Sequence, residues 1–321
     1  MKILFVVSRM EKPSARLRIL AYLPFLKEQG FHCEIFEASR SFWGRMTLSF
    51  RVRQFDVCVI QKKLLKPLEI ELLRKAAKKL IFDFDDAIIF NDEGGEKKSS
   101  LAAFEKTIRN ADLVLCGNPY LKSLASQWNS RLLILPTPVD TTLVKPREPG
   151  LSPLPCIGWL GSKSTFSYFA GEEKAWLEIM GKEKVRFKVI SSDFPALSLK
   201  YEHCLWQKDL EYELLKTFDI GLMPLPDNPF TRGKCAYKIL QYQATGVPAI
   251  ASPVGYNAGV IEHRKTGLLV SPDFSWGDAV RALIHDPALY REISMNARTA
   301  VEKTHCFHRL KHRFLEALRS A

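Results

Sequence analysis

The chain alternates short unbroken apolar runs with stretches whose apolar positions recur every three or four residues. Ile3 to Val7 is the first run, and residues 15–29 form the first periodic stretch, closed by Gly30. Cys33 to Phe36 follows, and after an irregular stretch come Asp56 to Gln61, a helix opening at Pro67, Leu80 to Phe84, Asp112 to Cys116, a helix opening at Pro119, and Leu132 to Leu135. Such alternation predicts a parallel, doubly wound sheet.

Pro136, Pro138, Pro146, Pro149, Pro153 and Pro155 then crowd into a segment without periodicity, which marks an interdomain linker. A second alternation runs through Cys156 to Leu160, Arg186 to Ile190, Phe218 to Met223, Pro248 to Ala251 and Gly267 to Val270, and from Trp276 onward the pattern is helical. The expectation is an α/β protein of two Rossmann-like halves, residues 1–148 and 149–305.

Composition narrows the classes. No run approaches the roughly eighteen apolar residues needed to cross a bilayer. Met1-Lys2 leads directly into the first apolar run, which reads as a strand rather than a signal peptide. The seven cysteines lack metal-ligand spacing, and an odd, scattered set inside apolar runs fits reduced thiols in a cytoplasm. The formal charge is +12, and residues 1–150 hold 25 Lys and Arg against 17 Asp and Glu. Nucleic acid, an anionic membrane surface or phosphorylated substrates would each suit that balance. No helix-turn-helix, zinc-finger or RNA-recognition signature is present, so nucleic acid is not an expected partner. The absence of Gly-x-Gly-x-x-Gly after either first strand argues against a nicotinamide or flavin oxidoreductase.

The stretch from Arg232 to Gln241 places Arg232, Lys234 and Lys238 at an expected helix start, where cations are repelled unless an anion sits in front of them. Lys234, Lys238 and Gln241 would share one face of that helix, with Cys235, Ile239 and Tyr242 forming an apolar stripe beside it. A solvated lysine face is the alternative. Gly161-Ser162-Lys163-Ser164-Thr165 follows an expected strand and offers amides, hydroxyls and one cation to an anion, without Walker A spacing. Its plainer reading is an N-cap by Ser164 or Thr165.

Asp83, Asp85 and Asp86 end a strand, where close acids raise one another's pKa unless paired. They read as a Mg²⁺ or Mn²⁺ site or as hydrogen-bonding groups at a strand end. Ser14, Arg16 and Arg18 follow the first strand and suit either an anionic group, such as a lipid-carrier phosphate or charged sugar, or a solvated surface. Between residues 39 and 55, Arg40, Arg45, Arg51 and Arg53 interleave with Phe42, Trp43, Leu48, Phe50 and Phe55. That mixture suits contact with an inner-membrane surface, or an amphipathic helix packed on its sheet.

Several of these stretches, in order, resemble glycosyltransferase family 4. They are Asp83-Phe84-Asp85-Asp86-Ala87, Pro136-Thr137-Pro138-Val139-Asp140, Ile157-Gly158-Trp159-Leu160-Gly161-Ser162, Met223-Pro224-Leu225-Pro226-Asp227, and the run from Arg232 through Gly255 to Val270. The resemblance spans nearly the whole chain and is nearest to a bacterial subgroup. It implies a GT-B fold, two Rossmann-like domains with a cleft between them, and a last helix, about 306–321, that crosses back onto the first domain.

The resemblance also implies sugar transfer from a nucleotide-diphosphate donor to a hydroxyl of a glycan or lipid-linked acceptor, with retention, in bacterial surface-polysaccharide synthesis. No cofactor beyond the nucleotide sugar and no metal is expected. The donor side would comprise Gly161, Ser162, Lys163, Ser164, Arg232, Lys234, Lys238 and Gln241, and the acceptor side Ser14, Arg16 and Arg18. Asp85 falls where the family commonly has a histidine near the reacting carbon, and there it would accept or orient the acceptor hydroxyl's proton. The family's paired glutamates are replaced by Gly233 and Gln241, and Gln241 keeps an amide for ribose hydroxyls. A GT-B-like epimerase or phosphorylase, and a non-catalytic nucleotide-sugar binder, are the alternatives. The expected setting is cytoplasmic, peripheral at the membrane's inner face.

Overall fold

The computed structural model describes residues 1–38, 42–194 and 196–320. It divides into two compact units. One is Met1–Pro138 with Asn228–Cys235 and Phe307–Ala321, and the other is Val139–Asp227 with Ala236–Cys306. These bounds differ from a division at residue 148. Arg298 donates to the carbonyls of Thr141 at 2.8 Å and Val144 at 2.9 Å, and Val139 N donates to His305 O at 3.0 Å, so residues 139–144 are tied to the second unit.

The first unit is built on six parallel strands: β1 (Lys2–Val7), β2 (His32–Glu37), β3 (Val57–Gln61), β4 (Leu80–Phe84), β5 (Leu113–Cys116) and β6 (Leu132–Ile134), ordered β2-β1-β3-β4-β5-β6. Successive residues point to opposite faces, and both faces are covered. Leu4, Ile60, Phe82 and Val114 pack against Leu48, Ile70, Leu73 and Phe104 of helices on one side. Ile3, Phe5, Val59, Ile81 and Leu115 pack on the other against Leu26 and against Leu310, Phe314 and Leu318 of the helix Phe307–Ser320.

Two departures from the sequence pattern have local causes. The periodic stretch 15–29 is broken into Pro13–Arg18, Leu20–Tyr22 and Leu23–Glu28, because Pro24 lacks the amide needed to continue a helix and instead occupies its first turn. The helix Lys98–Asn110 buries only Ala103, Phe104, Thr107 and Ile108, too sparse an apolar set to stand out in the sequence.

The helix Phe42–Arg51 buries Leu48, leaves Phe50 exposed, and pairs Arg51 with Glu34 at 2.6 Å. Arg53 sits 5.7 Å from the Phe50 ring centre. Arg40 lies outside the described residues. Among those described, no helix is long and apolar enough to cross a membrane.

The second unit carries β7 (Cys156–Leu160), β8 (Arg186–Ser191), β9 (Tyr201–Leu205), β10 (Ile220–Met223), β11 (Ala249–Ala251) and β12 (Leu268–Leu269), all parallel and ordered β12-β11-β10-β7-β8-β9. The chain winds outward from β7 through β9, then returns to the far side of β7 with β10. That reversal between β7 and β10 opens a crevice at their carboxyl ends, the usual ligand position in such sheets. A row of aromatic rings packs beneath it, with Trp159 to Phe169 at 5.3 Å, Phe169 to Trp176 at 5.4 Å and Trp176 to Trp276 at 5.1 Å. β9 is half-exposed at the sheet edge, which is why its sequence shows no unbroken apolar run.

Candidate functional site

In the second unit, the turn after β7 and the helix Tyr237–Ala244 meet over Trp159. A side chain on Gly161 would put its Cβ 1.9 Å from the Trp159 ring, so only glycine lets the turn cross the indole this closely. Ser162 N donates to Thr165 Oγ1 at 3.3 Å and Thr165 N to Ser162 O at 2.9 Å, while the Ser162 and Ser164 hydroxyls are 3.0 Å apart. Ser162, rather than Ser164 or Thr165, therefore stands at the start of this helical turn. Lys163 is exposed on it.

Lys238 lies in the first turn of the helix Tyr237–Ala244, donates to Thr165 Oγ1 at 3.4 Å and stands 4.7 Å from the Trp159 ring centre. A cation at the positive end of a helix is electrostatically disfavoured, and the π face beneath it offsets part of that cost. The arrangement joins a point cation with a ring of hydroxyls, the donor set of an anion cradle. Gln241 is 2% exposed and its amide donates to the Glu211 carboxylate, whose other oxygen takes the Trp206 indole N–H at 2.5 Å. Nothing in the sequence pattern pointed to Glu211 or to this use of Gln241.

Arg232 and Lys234 are placed elsewhere than the expected helix face. The helix begins only at Tyr237, because Ala236 holds φ +55, a left-handed conformation that ends the preceding segment. Arg232, exposed, closes the short helix Pro229–Arg232. Lys234 pairs with Asp86 at 3.3 Å and lies over the Phe230 ring, and Asn118 Nδ2 donates to the carbonyls of Gly233 and Lys234, both at 3.1 Å. Residues 228–235 are thus part of the first unit. A Cβ on Gly233 would come 2.7 Å from Ala87 N, so the position that resembles the family's first glutamate has no room for a side chain.

The three acids at the end of β4 are all paired. Asp83 forms a buried two-pronged pair with Arg18, and Arg18 also donates to Leu135 O at 2.9 Å and Thr137 Oγ1 at 3.1 Å. Burial opposes the Arg18 charge, but Asp83 beside it holds the guanidinium above its ordinary pKa. Arg18 therefore ties the first helix to the ends of β4 and β6 rather than facing an anion. Ser14 and Arg16, on the same helix, are partly buried.

Lys62, in a left-handed conformation at φ +56, extends its ammonium to Asp85 Oδ1 at 3.3 Å and to Asp86 Oδ2. Burial works against the Lys62 charge, and the two carboxylates outweigh it, raising its pKa above the usual lysine value. Burial likewise works against the Asp86 charge, yet Lys62 and Lys234 hold that carboxyl below the usual range. Cys235 Sγ donates to Asp85 O at 3.2 Å, and burial pushes that thiol up, so it stays protonated. All seven cysteines are unbridged. Among the described residues no group of three His, Cys, Asp or Glu side chains is placed to hold a metal ion. Asp83 gives both its oxygens to Arg18.

A family model described as "Glycosyl transferases group 1" matches residues 172–286. Among solved structures, the chain is similar to sucrose-phosphate synthase from Thermosynechococcus elongatus at TM-score 0.76 and 14% identity, over 100% of this chain and 98% of that one. It is similar to HepE of Anabaena in complex with UDP-glucose at TM-score 0.73 and 16% identity, over the full length of both. It is similar to the lipopolysaccharide outer core galactosyltransferase WaaB at TM-score 0.69 and 14% identity, over 100% of this chain and 99% of that one. With two helix-flanked parallel sheets and solved structures similar over its whole length, this chain has the GT-B fold, and over residues 172–286 it matches the group 1 glycosyltransferase model.

Proposed function

We propose that the protein transfers a sugar from a nucleotide-diphosphate donor to a hydroxyl of a glycan or lipid-linked acceptor. The observation that carries the reading is the cradle of Lys238, Thr165 and the Gly161–Thr165 turn at the carboxyl end of β7, within the stretch where the sheet order reverses. HepE was solved with UDP-glucose and WaaB is a galactosyltransferase, and both share this fold. A diphosphate in this cradle would meet Lys238 and Lys163 as point charges and the Ser162 and Thr165 groups as hydrogen-bond partners. Fixed cations of this kind do the work that a divalent ion does elsewhere, so transfer in this reading needs neither metal nor cofactor.

On the acceptor side we assign Asp85 to the hydroxyl that is glycosylated. It follows the end of β4, and its Oδ1 is held 3.3 Å from the Lys62 ammonium, which would keep the carboxylate oriented toward a bound hydroxyl. The reading extends to retention of anomeric configuration, to surface-polysaccharide synthesis and to a peripheral position at a membrane through residues 39–55, where Phe50 and Arg53 are outward.

A thermal-stability screen of UDP-, GDP-, TDP- and CMP-sugars tests the reading. One of them, at a hundred times its dissociation constant, should stabilise the fold by about 2.7 kcal/mol. Release of nucleoside diphosphate only when an acceptor glycan is present distinguishes transfer from epimerisation or phosphorolysis, and stabilisation by none of the four sugars would reject the nucleotide-sugar reading.

A further inference from the structure

We infer that Lys234 is a positioning residue for Asp85, acting on that carboxylate through Asp86 and Lys62. The inference rests on the assignment of Asp85 made above. Three observations carry it. The four side chains form a row of alternating charge, with Lys234 Nζ 3.3 Å from Asp86 Oδ1, and Lys62 Nζ shared between Asp86 Oδ2 and, at 3.3 Å, Asp85 Oδ1. Those side chains are between 14% and 26% exposed, so solvent screens the row weakly. Lys234 is fixed at its end, because Asn118 Nδ2 donates to the carbonyls of Gly233 and Lys234 and the Phe230 ring centre lies 4.2 Å from its ammonium. The next residue touches Asp85 directly, through the bond from Cys235 Sγ to Asp85 O at 3.2 Å. A Cβ on Gly117 would come 2.5 Å from Cys235 Sγ and 3.1 Å from Asp85 Cα, so glycine is what lets the two approach.

A lysine ammonium has three donors, and Lys62 divides them between two carboxylates. Lys234 occupies one oxygen of Asp86, which leaves Lys62 freer to hold Asp85. Removing the Lys234 charge therefore lets Asp86 compete harder for Lys62 and takes a cation from the row, and both effects favour the neutral form of Asp85. Removing the Asp86 charge does the reverse, since a like charge disappears and Lys62 is left to Asp85 alone. The other groups that face Asp85 do not alter these signs. Asp83 and Arg18 are closed in a pair of their own, and the buried Cys235 thiol stays protonated. A neutral Asp85 accepts no proton, so the row governs the pH at which transfer fails on the acid side.

The pH dependence of kcat at saturating donor and acceptor tests this on the full chain. The acid limb should move up in Lys234→Met and down in Asp86→Asn, each by roughly half a unit to one unit, and Lys234→Arg should bring it back to the wild-type position. A group that only supports the fold would not move the limb in opposite directions. Nucleoside-diphosphate affinity, measured calorimetrically, should match the wild type in all three. Limbs that stay in place, or that move the same way, overturn the inference. So does a loss of diphosphate affinity in Lys234→Met with an unmoved limb, which would return Lys234 to the donor side. If the wild type transfers no sugar, or Asp85→Asn keeps its turnover, the reading beneath fails first and takes this inference with it. Should Asp86→Asn unfold, judged by its melting curve, the two Lys234 variants decide: a limb raised in Lys234→Met and restored in Lys234→Arg supports the row, and equal limbs overturn it.

Discussion

Lys62 Nζ stands 3.3 Å from Asp85 Oδ1 and also reaches Asp86 Oδ2, so one ammonium neutralises parts of two neighbouring carboxylates. Adjacent acids at a strand end repel, and a shared cation offsets that repulsion. Lys62 reaches them from the end of β3 through a backbone conformation unusual for a non-glycine residue.

Asp85→Asn is the direct check on that carboxylate. Donor affinity should be unchanged, and turnover at saturating acceptor should fall about 10² to 10⁴-fold, the usual contribution of a group that accepts or orients a proton. Turnover near the wild-type value would make Asp85 a structural partner of Lys62.

Lys163→Ala and Lys238→Ala should each weaken nucleoside-diphosphate binding by about 1.5–3 kcal/mol, the range for hydrogen bonds to charged groups. Lys238→Ala should have the larger effect, because Thr165 and the Trp159 ring already hold its ammonium in place, whereas Lys163 is exposed. Calorimetry on folded variants measures both, and unchanged affinity in the pair would remove the cradle from the donor site.

Most strands are legible in the sequence because both sheet faces are covered and the runs are therefore continuously apolar. β9 is not, since the edge strand Tyr201–Leu205 mixes exposed with half-buried residues. The positions of two lysines were legible: Lys163 lies in the turn after β7 and Lys238 in the first turn of its helix. Lys234 was misread as a helix residue because nothing local announces a left-handed Ala236. Asp86 binds Lys234 from 148 positions away, and Glu211 meets Gln241 across 30, so neither pairing leaves a periodic trace. Arg18 looked like a surface cation at a helix end, and only the fold shows Asp83, Leu135 and Thr137 closing around it.

Chelation supplies a test of a different kind. If Lys163 and Lys238 neutralise the leaving diphosphate as proposed, transfer activity should persist in excess EDTA. Activity lost in EDTA and restored by Mn²⁺ would require a metal site and revise the roles of Lys163 and Lys238.

Acid should loosen the first unit through Asp86. Its folded-state pKa lies below the unfolded value, so its contribution to stability is complete above the ordinary carboxylate range, near about 3.9, and is lost as pH falls through the folded value. Asp86→Asn should lower the urea midpoint at pH 7 and flatten the decline as pH falls below the ordinary carboxylate range. A variant as stable as wild type at pH 7, with an unaltered acid profile, would show that the Lys62 and Lys234 pairs contribute nothing measurable.

The helix Phe307–Ser320 closes one face of a sheet whose first strand is Lys2–Val7, with Phe314 6.3 Å from Phe5 and 4.5 Å from Tyr22. During synthesis, that face of the first sheet stays uncovered until some three hundred further residues have left the ribosome, and the segment 228–235 is also missing for most of that time. The second unit, Val139–Asp227 with Ala236–Cys306, can collapse while the first still exposes Ile3, Phe5 and Val59 to water. A fragment that stops near residue 140 therefore carries an apolar sheet face without its cover, and it should aggregate rather than behave as a free-standing module.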